Sequence, residues 1–271
     1  MEKYLILSKM NPLYFLCGIW IIGLIFRLFY FDEIIPLSLD GLSFFSYSAD
    51  IHTIGKLPEN YDIAKPGWSY LLAVIFSTFT FEETIQYMQL QKLLGLTISS
   101  LTVFPLFFLI KKFSTSKFSL LGVLLFTVEP RIIENSLSGN AESLFIFLTT
   151  STILLFLNKD HRIIHLSFLL TGIATMVRPE GLFLFLGISI SYIIRFRKQK
   201  FVILKYMFAL FLFILILVPI TIHKQQEGMY DSVFERAYFT LMENASHDKK
   251  TRDLVDAQLD QSDLQQKNSL H

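Results

Sequence analysis

Long apolar runs, most of about 15–22 residues and separated by short charged stretches, recur along the first 222 positions of this chain. A run of that length suffices to cross a hydrocarbon core of roughly 30 Å at about 1.5 Å per residue. Inside lipid the backbone must satisfy its own hydrogen bonds, so each run is expected to be a helix. The composition agrees: 52% of residues are hydrophobic, only 17% are charged, and the mean hydropathy is +0.49. The expected fold class is therefore an all-α polytopic membrane protein.

The runs place about seven crossings at 11–30, 90–110, 118–128, 141–157, 163–177, 182–194 and 201–222. Between the first two lies a long acid-rich loop, 31–88, whose stretch 42–54 suits a helix lying on the interface. The piece 67–81 is ambiguous, because 15 residues make only about 22 Å of helix; a re-entrant or interfacial helix suits it as well as a crossing. Loop charges arbitrate. If 67–81 does not cross, the N-terminus and the loops at 111–117, 158–162 and 195–200 share one side and carry eleven Lys/Arg. Basic loops stay cytoplasmic, which predicts an N-terminus inside and a C-terminus outside. Arg27, near the far end of the first run, is expected to snorkel to the interface. That first run reads as a retained anchor, because no small-residue cleavage site follows it.

Residues 1–222 thus form one transmembrane module, and 223–271 a polar tail on the outer side. An amphipathic helix is expected at 231–242, Asn244-Ala-Ser246 is a weak glycosylation sequon, and 246–271 is expected to be mobile. Several function classes lose support. A net charge of +1 without a basic stripe gives no reason to expect nucleic acid. The single Cys17 allows no intrachain disulfide. Neither a zinc-hydrolase pattern of histidines and cysteines nor a Gly-rich phosphate loop is present. Transporters keep charges near the bilayer midplane, whereas the notable charges here gather at one predicted face.

That face carries the candidate site. Asp40, in Pro36-Leu-Ser-Leu-Asp-Gly41, follows the first run. It reads either as a helix cap or as a carboxylate base or metal ligand at the membrane surface. Asp50 and His52 read more simply as surface residues. Glu129, Arg131, Glu134 and Glu142 surround one short outer loop. Glu142 opens a helix, where the dipole favours a negative charge. Asp40 and Glu142 together suit a divalent cation such as Mg or Mn, or a division into base and orienting group. Arg178-Pro-Glu-Gly181 is a tight turn in which Arg178 and Glu180 either pair with each other or offer the arginine to a lipid phosphate. Lys65 and Arg131 are further phosphate candidates.

The order of these pieces resembles a known family. The pieces are Leu-Ser-Leu-Asp40-Gly after one crossing, Pro66-Gly-Trp before an apolar helix, a crossing ending in Lys-Lys-Phe, Glu129-Pro-Arg before Glu142, and Gly172-Ile-Ala-Thr-Met-Val-Arg178-Pro-Glu-Gly181. Over about residues 10–222 the chain resembles the GT-C glycosyltransferases, in particular the branch of the dolichyl-phosphate-mannose–protein mannosyltransferases and aminoarabinose transferases. The resemblance implies a seven-span module whose first outer loop bears the catalytic acid, here Asp40, with a second acid at Glu142. It implies basic residues gripping a polyprenyl phosphate, a polyprenyl-phosphate-linked sugar as donor, and a protein or lipid hydroxyl as acceptor. The paired acids of the mannosyltransferases are reduced here to Asp-Gly. Family members usually carry more spans and a larger C-terminal part, so the alternatives to a full enzyme are a shortened copy, one subunit of a split enzyme completed by a second, or a non-catalytic subunit that keeps the lipid-carrier binding module.

Overall fold

In the computed structural model the described residues are 11–32, 36–58 and 66–226, with side chains described up to 222. Lys65 and everything expected of 227–271, including the helix at 231–242 and the sequon, lie outside them. Two units are distinguished, Met1–Pro219 and Ile220–His271; of the second, only the end of the last helix is described.

The described residues form eleven helices and no strand: α1 Pro12–Phe29, α2 Leu39–Ile54, α3 Gly67–Phe76, α4 Thr84–Leu101, α5 Val103–Lys111, α6 Ser116–Val128, α7 Pro130–Leu137, α8 Glu142–Phe156, α9 His161–Val177, α10 Gly181–Phe196 and α11 Val202–Gln226. By length and composition three stretches can cross a membrane: α1, α4–α5 taken together over Thr84–Lys111, and Val202–Ile222 of α11. The count is four if α7 and α8, bent by 119°, are one broken span. Helices α6, α9 and α10 are apolar but shorter, at 13, 17 and 16 residues.

Several boundaries differ from expectation for local reasons. The long loop ends at 83 rather than 88, because Glu83 and Gln86 close a capping box that starts α4. The crossing expected at 90–110 breaks at Thr102. Pro105 offers no N–H to the Leu101 carbonyl one turn back, and its ring crowds it. The loop after 128 is largely the helix α7. Its Glu129 sits at the cap position and Pro130 at the first turn.

The ambiguous segment resolves as α3, whose ten residues span about 15 Å. It packs into the core and is shorter than the stretches that can cross a membrane by length. Trp68 and Leu72 are fully buried in a cluster that includes Phe45 of α2, Leu144 and Leu148 of α8, and Ala174 and Val177 of α9. Gly67 permits the close approach, since a Cβ there would lie 2.8 Å from the Met176 carbonyl carbon. A second cluster joins α9, α10 and α11 through Phe168, Tyr192 and Ala209. A third joins α1, α5 and α6 through Leu16, Phe107 and Val123.

Arg27 does not snorkel. It is fully buried and donates to the carbonyls of Gly23 and Thr127 and to the Ser99 hydroxyl, at 3.1, 3.4 and 3.2 Å. Neighbouring helices supply acceptors closer than the interface does, so the guanidinium ties α1, α4 and α6 together.

Two arginines mark the two ends of the bundle. Arg195, late in α10, donates to the carbonyls of Phe156 and Asn158, both at 2.6 Å, where α8 ends. Arg178, where α9 ends, pairs with Glu142, where α8 begins. The basic turn at 195–200 therefore sits at the opposite end of α8 from Glu142.

Candidate functional site

The site is built on a backbone knot between the start of α2 and the turn that leads into α8. Ser38, and not Asp40, caps α2: its Oγ accepts from the Gly41 N–H at 3.0 Å. The Ser38 N–H donates to the Ser138 carbonyl at 3.1 Å. The Ser38 hydroxyl is also 2.5 Å from Asn140 Oδ1. A Cβ on Gly41 would lie 2.6 Å from the Ser138 carbonyl oxygen, so the two segments touch backbone to backbone.

Gln91 of α4 locks this contact from beneath. It is fully buried, and its amide donates to the carbonyls of Gly41 and Gly139 at 2.9 and 2.7 Å. The Trp68 indole N–H donates to the same Gly139 carbonyl at 3.0 Å. Gly139 takes φ 77°, a left-handed conformation that glycine adopts without strain. Loss of the Gln91 amide removes two buried bonds at once. Gln91→Leu is expected to lower stability by about 1–3 kcal/mol. Gln91→Glu should be worse, since it turns an anion toward two carbonyls. Thermal unfolding in detergent reads both.

Asp40 occupies the first turn of α2, exposed and free of any ion pair among the described residues. With Ser38 as the cap, its carboxylate has no capping role; the helix dipole alone favours its charge. Two residues after Asn140, Glu142 opens α8. Arg178 holds Glu142 with one guanidinium nitrogen and grips Glu180 with two, Nε to Oε2 at 3.2 Å and Nη2 to Oε1 at 2.8 Å. The face of Phe145 lies 5.9 Å from the guanidinium. Glu142 Oε2 is buried without a hydrogen-bond partner.

The hydrogen bonds to Glu180, then the charges of Glu142 and Glu180, outweigh burial and raise the Arg178 pKa. The Arg178 hydrogen bond holds the Glu180 carboxyl below its ordinary value. The sign follows from linkage: a lowered folded pKa stabilises above the unfolded value near 4.5 and is lost as pH falls through the folded one. The half-exposed pair is worth at most about 1 kcal/mol. Stability is thus expected to be flat from neutral pH to about 5 and to weaken below it. Glu180→Gln should remove that acid-range slope in a pH series of unfolding curves.

The structure brings Asp40, Glu142, Arg178 and Glu180 to one end of the bundle. Arg131 is exposed in the first turn of α7, without an ion pair among the described residues. Glu134 lines a separate cleft of about 520 Å³ with Phe26, Tyr30 and Pro130. His52 packs against Tyr87, ring centroids 5.8 Å apart. Among the described residues no three His, Cys, Asp or Glu side chains group to hold a metal; the carboxylates at this end are Asp40, Glu180 and Glu142, the last with an orphaned oxygen.

Sequence reasoning passed over Gln91 and its neighbour Lys92, which is almost fully buried and donates to the Asp32 carbonyl at 2.9 Å. The available signal was two polar residues opening an apolar run, which in a membrane helix point to a role. It also passed over His161 and His165, one turn apart on α9 with ring centroids separated by 6.4 Å. Compared with known proteins, the chain matches no protein-family model and no curated protein.

Proposed function

We propose that this chain is a membrane glycosyltransferase that moves a sugar from a polyprenyl-phosphate donor to a hydroxyl of a protein or lipid acceptor at the outer face. In this reading about seven helices cross, with the N-terminus inside and the C-terminus outside. The shorter helices α6, α9 and α10 cross as part of a packed bundle. The observation that carries the reading is the knot that ties the Asp40 helix to the turn bearing Glu142, and through Glu142 to Arg178.

The chemistry is an inverting displacement. The acceptor oxygen attacks the anomeric carbon, the bond from that carbon to the phosphate oxygen breaks, and polyprenyl phosphate departs. Asp40 takes the acceptor proton, a task that suits an unpaired carboxylate at a surface. Arg178, with Arg131, stabilises the phosphate charge that develops on departure, and Lys65, outside the described residues, is a further candidate for that role. Glu142 and Glu180 hold the guanidinium plane fixed. Asp40 and Glu142 are the residues that would hold a divalent cation, which supplies charge neutralisation at the departing phosphate.

A second reading has an observation of its own. Arg178 already has two carboxylates, which suits a purely structural clamp in a non-catalytic subunit that binds the lipid carrier. One assay separates the two. Membranes containing the chain receive radiolabelled polyprenyl-phosphate sugar and an acceptor, with wild type compared to Asp40→Asn. Transfer lost on substitution supports the enzyme. Equal transfer removes Asp40 from the mechanism, and no transfer by either protein favours the subunit.

A further inference from the structure

The end of the bundle opposite Asp40 carries a feature that the proposed reaction does not use. Five cations lie between 195 and 205 (Arg195, Arg197, Lys198, Lys200 and Lys205), and no acid occurs from 181 to 226. Arg195 is committed to the end of α8 by its two carbonyl bonds. Arg197, Lys198 and Lys200 are exposed in the turn between α10 and α11, with no ion pair among the described residues.

The next residue, Phe201, has φ 60°. A bulky aromatic in the left-handed region is a strained outlier, and such strain clusters at ligand sites. The side chain gains no burial in return, being 74% exposed. Beside it is a cleft of about 440 Å³ lined by Phe201, Ile203, Leu204 and Met207, among others. The turn therefore carries three exposed cations, without an ion pair among the described residues, next in sequence to Gln199 and Phe201, which line an apolar cleft.

A ligand that matches both halves has a negative head and a hydrocarbon tail. We infer that this turn is a binding site for an anionic phospholipid, with its phosphate on Arg197, Lys198 and Lys200 and an acyl chain along Phe201, Leu204 and Met207. A soluble anion would leave the cleft open, and a neutral lipid would leave the three charges uncompensated. Basic clusters next to a crossing helix recognise anionic headgroups in this way. The inference stands apart from the glycosyltransferase reading, since it needs no turnover.

The test is native mass spectrometry of the full chain in detergent, with added phosphatidylglycerol or phosphatidylcholine. Wild type should retain phosphatidylglycerol at least tenfold more than phosphatidylcholine. Each surface cation contributes roughly fivefold, so Arg197→Gln/Lys198→Gln/Lys200→Gln should weaken phosphatidylglycerol binding on the order of 100-fold. Lys111→Gln/Lys112→Gln/Lys117→Gln, a basic cluster in another turn, should leave it unchanged. Phe201→Gly removes the aromatic wall of the cleft and the backbone strain together, so it should weaken lipid binding without lowering Tm. Equal loss from both triple variants would reduce the effect to bulk charge and overturn the site. So would equal retention of the two lipids, or competition by glycerol phosphate alone at the lipid's own concentration.

Discussion

Asp40→Asn is expected to lower sugar transfer by about 10²- to 10⁴-fold, the range removed with a general base, and to leave donor KM nearly unchanged. The split is diagnostic, because a base acts on the acceptor proton only as the bond forms, whereas a binding group acts before it. Asparagine preserves the shape of the side chain. It forfeits only the favourable dipole term at the start of α2, at most about 1 kcal/mol. No hydrogen bond or ion pair to a described residue is lost, and Ser38 still caps the helix. Tm should therefore stay close to wild type, and the loss of transfer cannot be assigned to unfolding. Asp50→Asn, on the same helix, is the matched control and should change neither quantity. A fall in Tm that tracks the fall in transfer would instead make Asp40 a structural residue.

What was legible in the sequence follows the range of the physics involved. Apolar runs long enough to span lipid report helices directly, and α1, α4–α5, α6, α8, α9, α10 and α11 fall on those runs, whereas α7 forms in the stretch expected to be a loop. Ends set by local chemistry were also partly legible: the Pro179–Gly181 turn separates α9 from α10. Decisions made by distant partners were not. Arg27 is indistinguishable in sequence from a snorkelling arginine until Ser99 and Thr127, far along the chain, are known to face it. The 67–81 segment is apolar enough for lipid. It ends in the core because Trp68 finds the Gly139 carbonyl and Gly67 allows contact with Met176. Asp40 read as either a cap or a free acid, and only the Ser38 hydroxyl decides between them. Gln91 escaped notice because its importance lies in two backbone carbonyls, and side-chain chemistry gives no sign of which carbonyls a fold brings together.

Gly41→Ala tests whether the knot positions Asp40. At an ordinary helix interior the change stabilises by roughly 1 kcal/mol, because glycine has more backbone freedom to lose on folding. Gly187→Ala, where nothing lies within 4 Å of the added Cβ, should show that gain. At Gly41 the new Cβ would meet the Ser138 carbonyl oxygen at 2.6 Å. The obstacle is backbone, so no side chain can rotate away; α2 must move off the turn, or the turn must move off α2. Overpacking of this kind costs about 1–3 kcal/mol, enough to reverse the sign relative to Gly187→Ala. Either movement also stretches the Gln91 bonds that join the two carbonyls. A displacement of about 1 Å can reduce a reaction by about 10²-fold when the reacting groups depend on alignment. Turnover should therefore fall by more than the fraction of protein unfolded. Gly41→Ala that gains stability like Gly187→Ala and turns over normally would show that α2 does not press on the 138–140 turn, and that Asp40 does not owe its position to it.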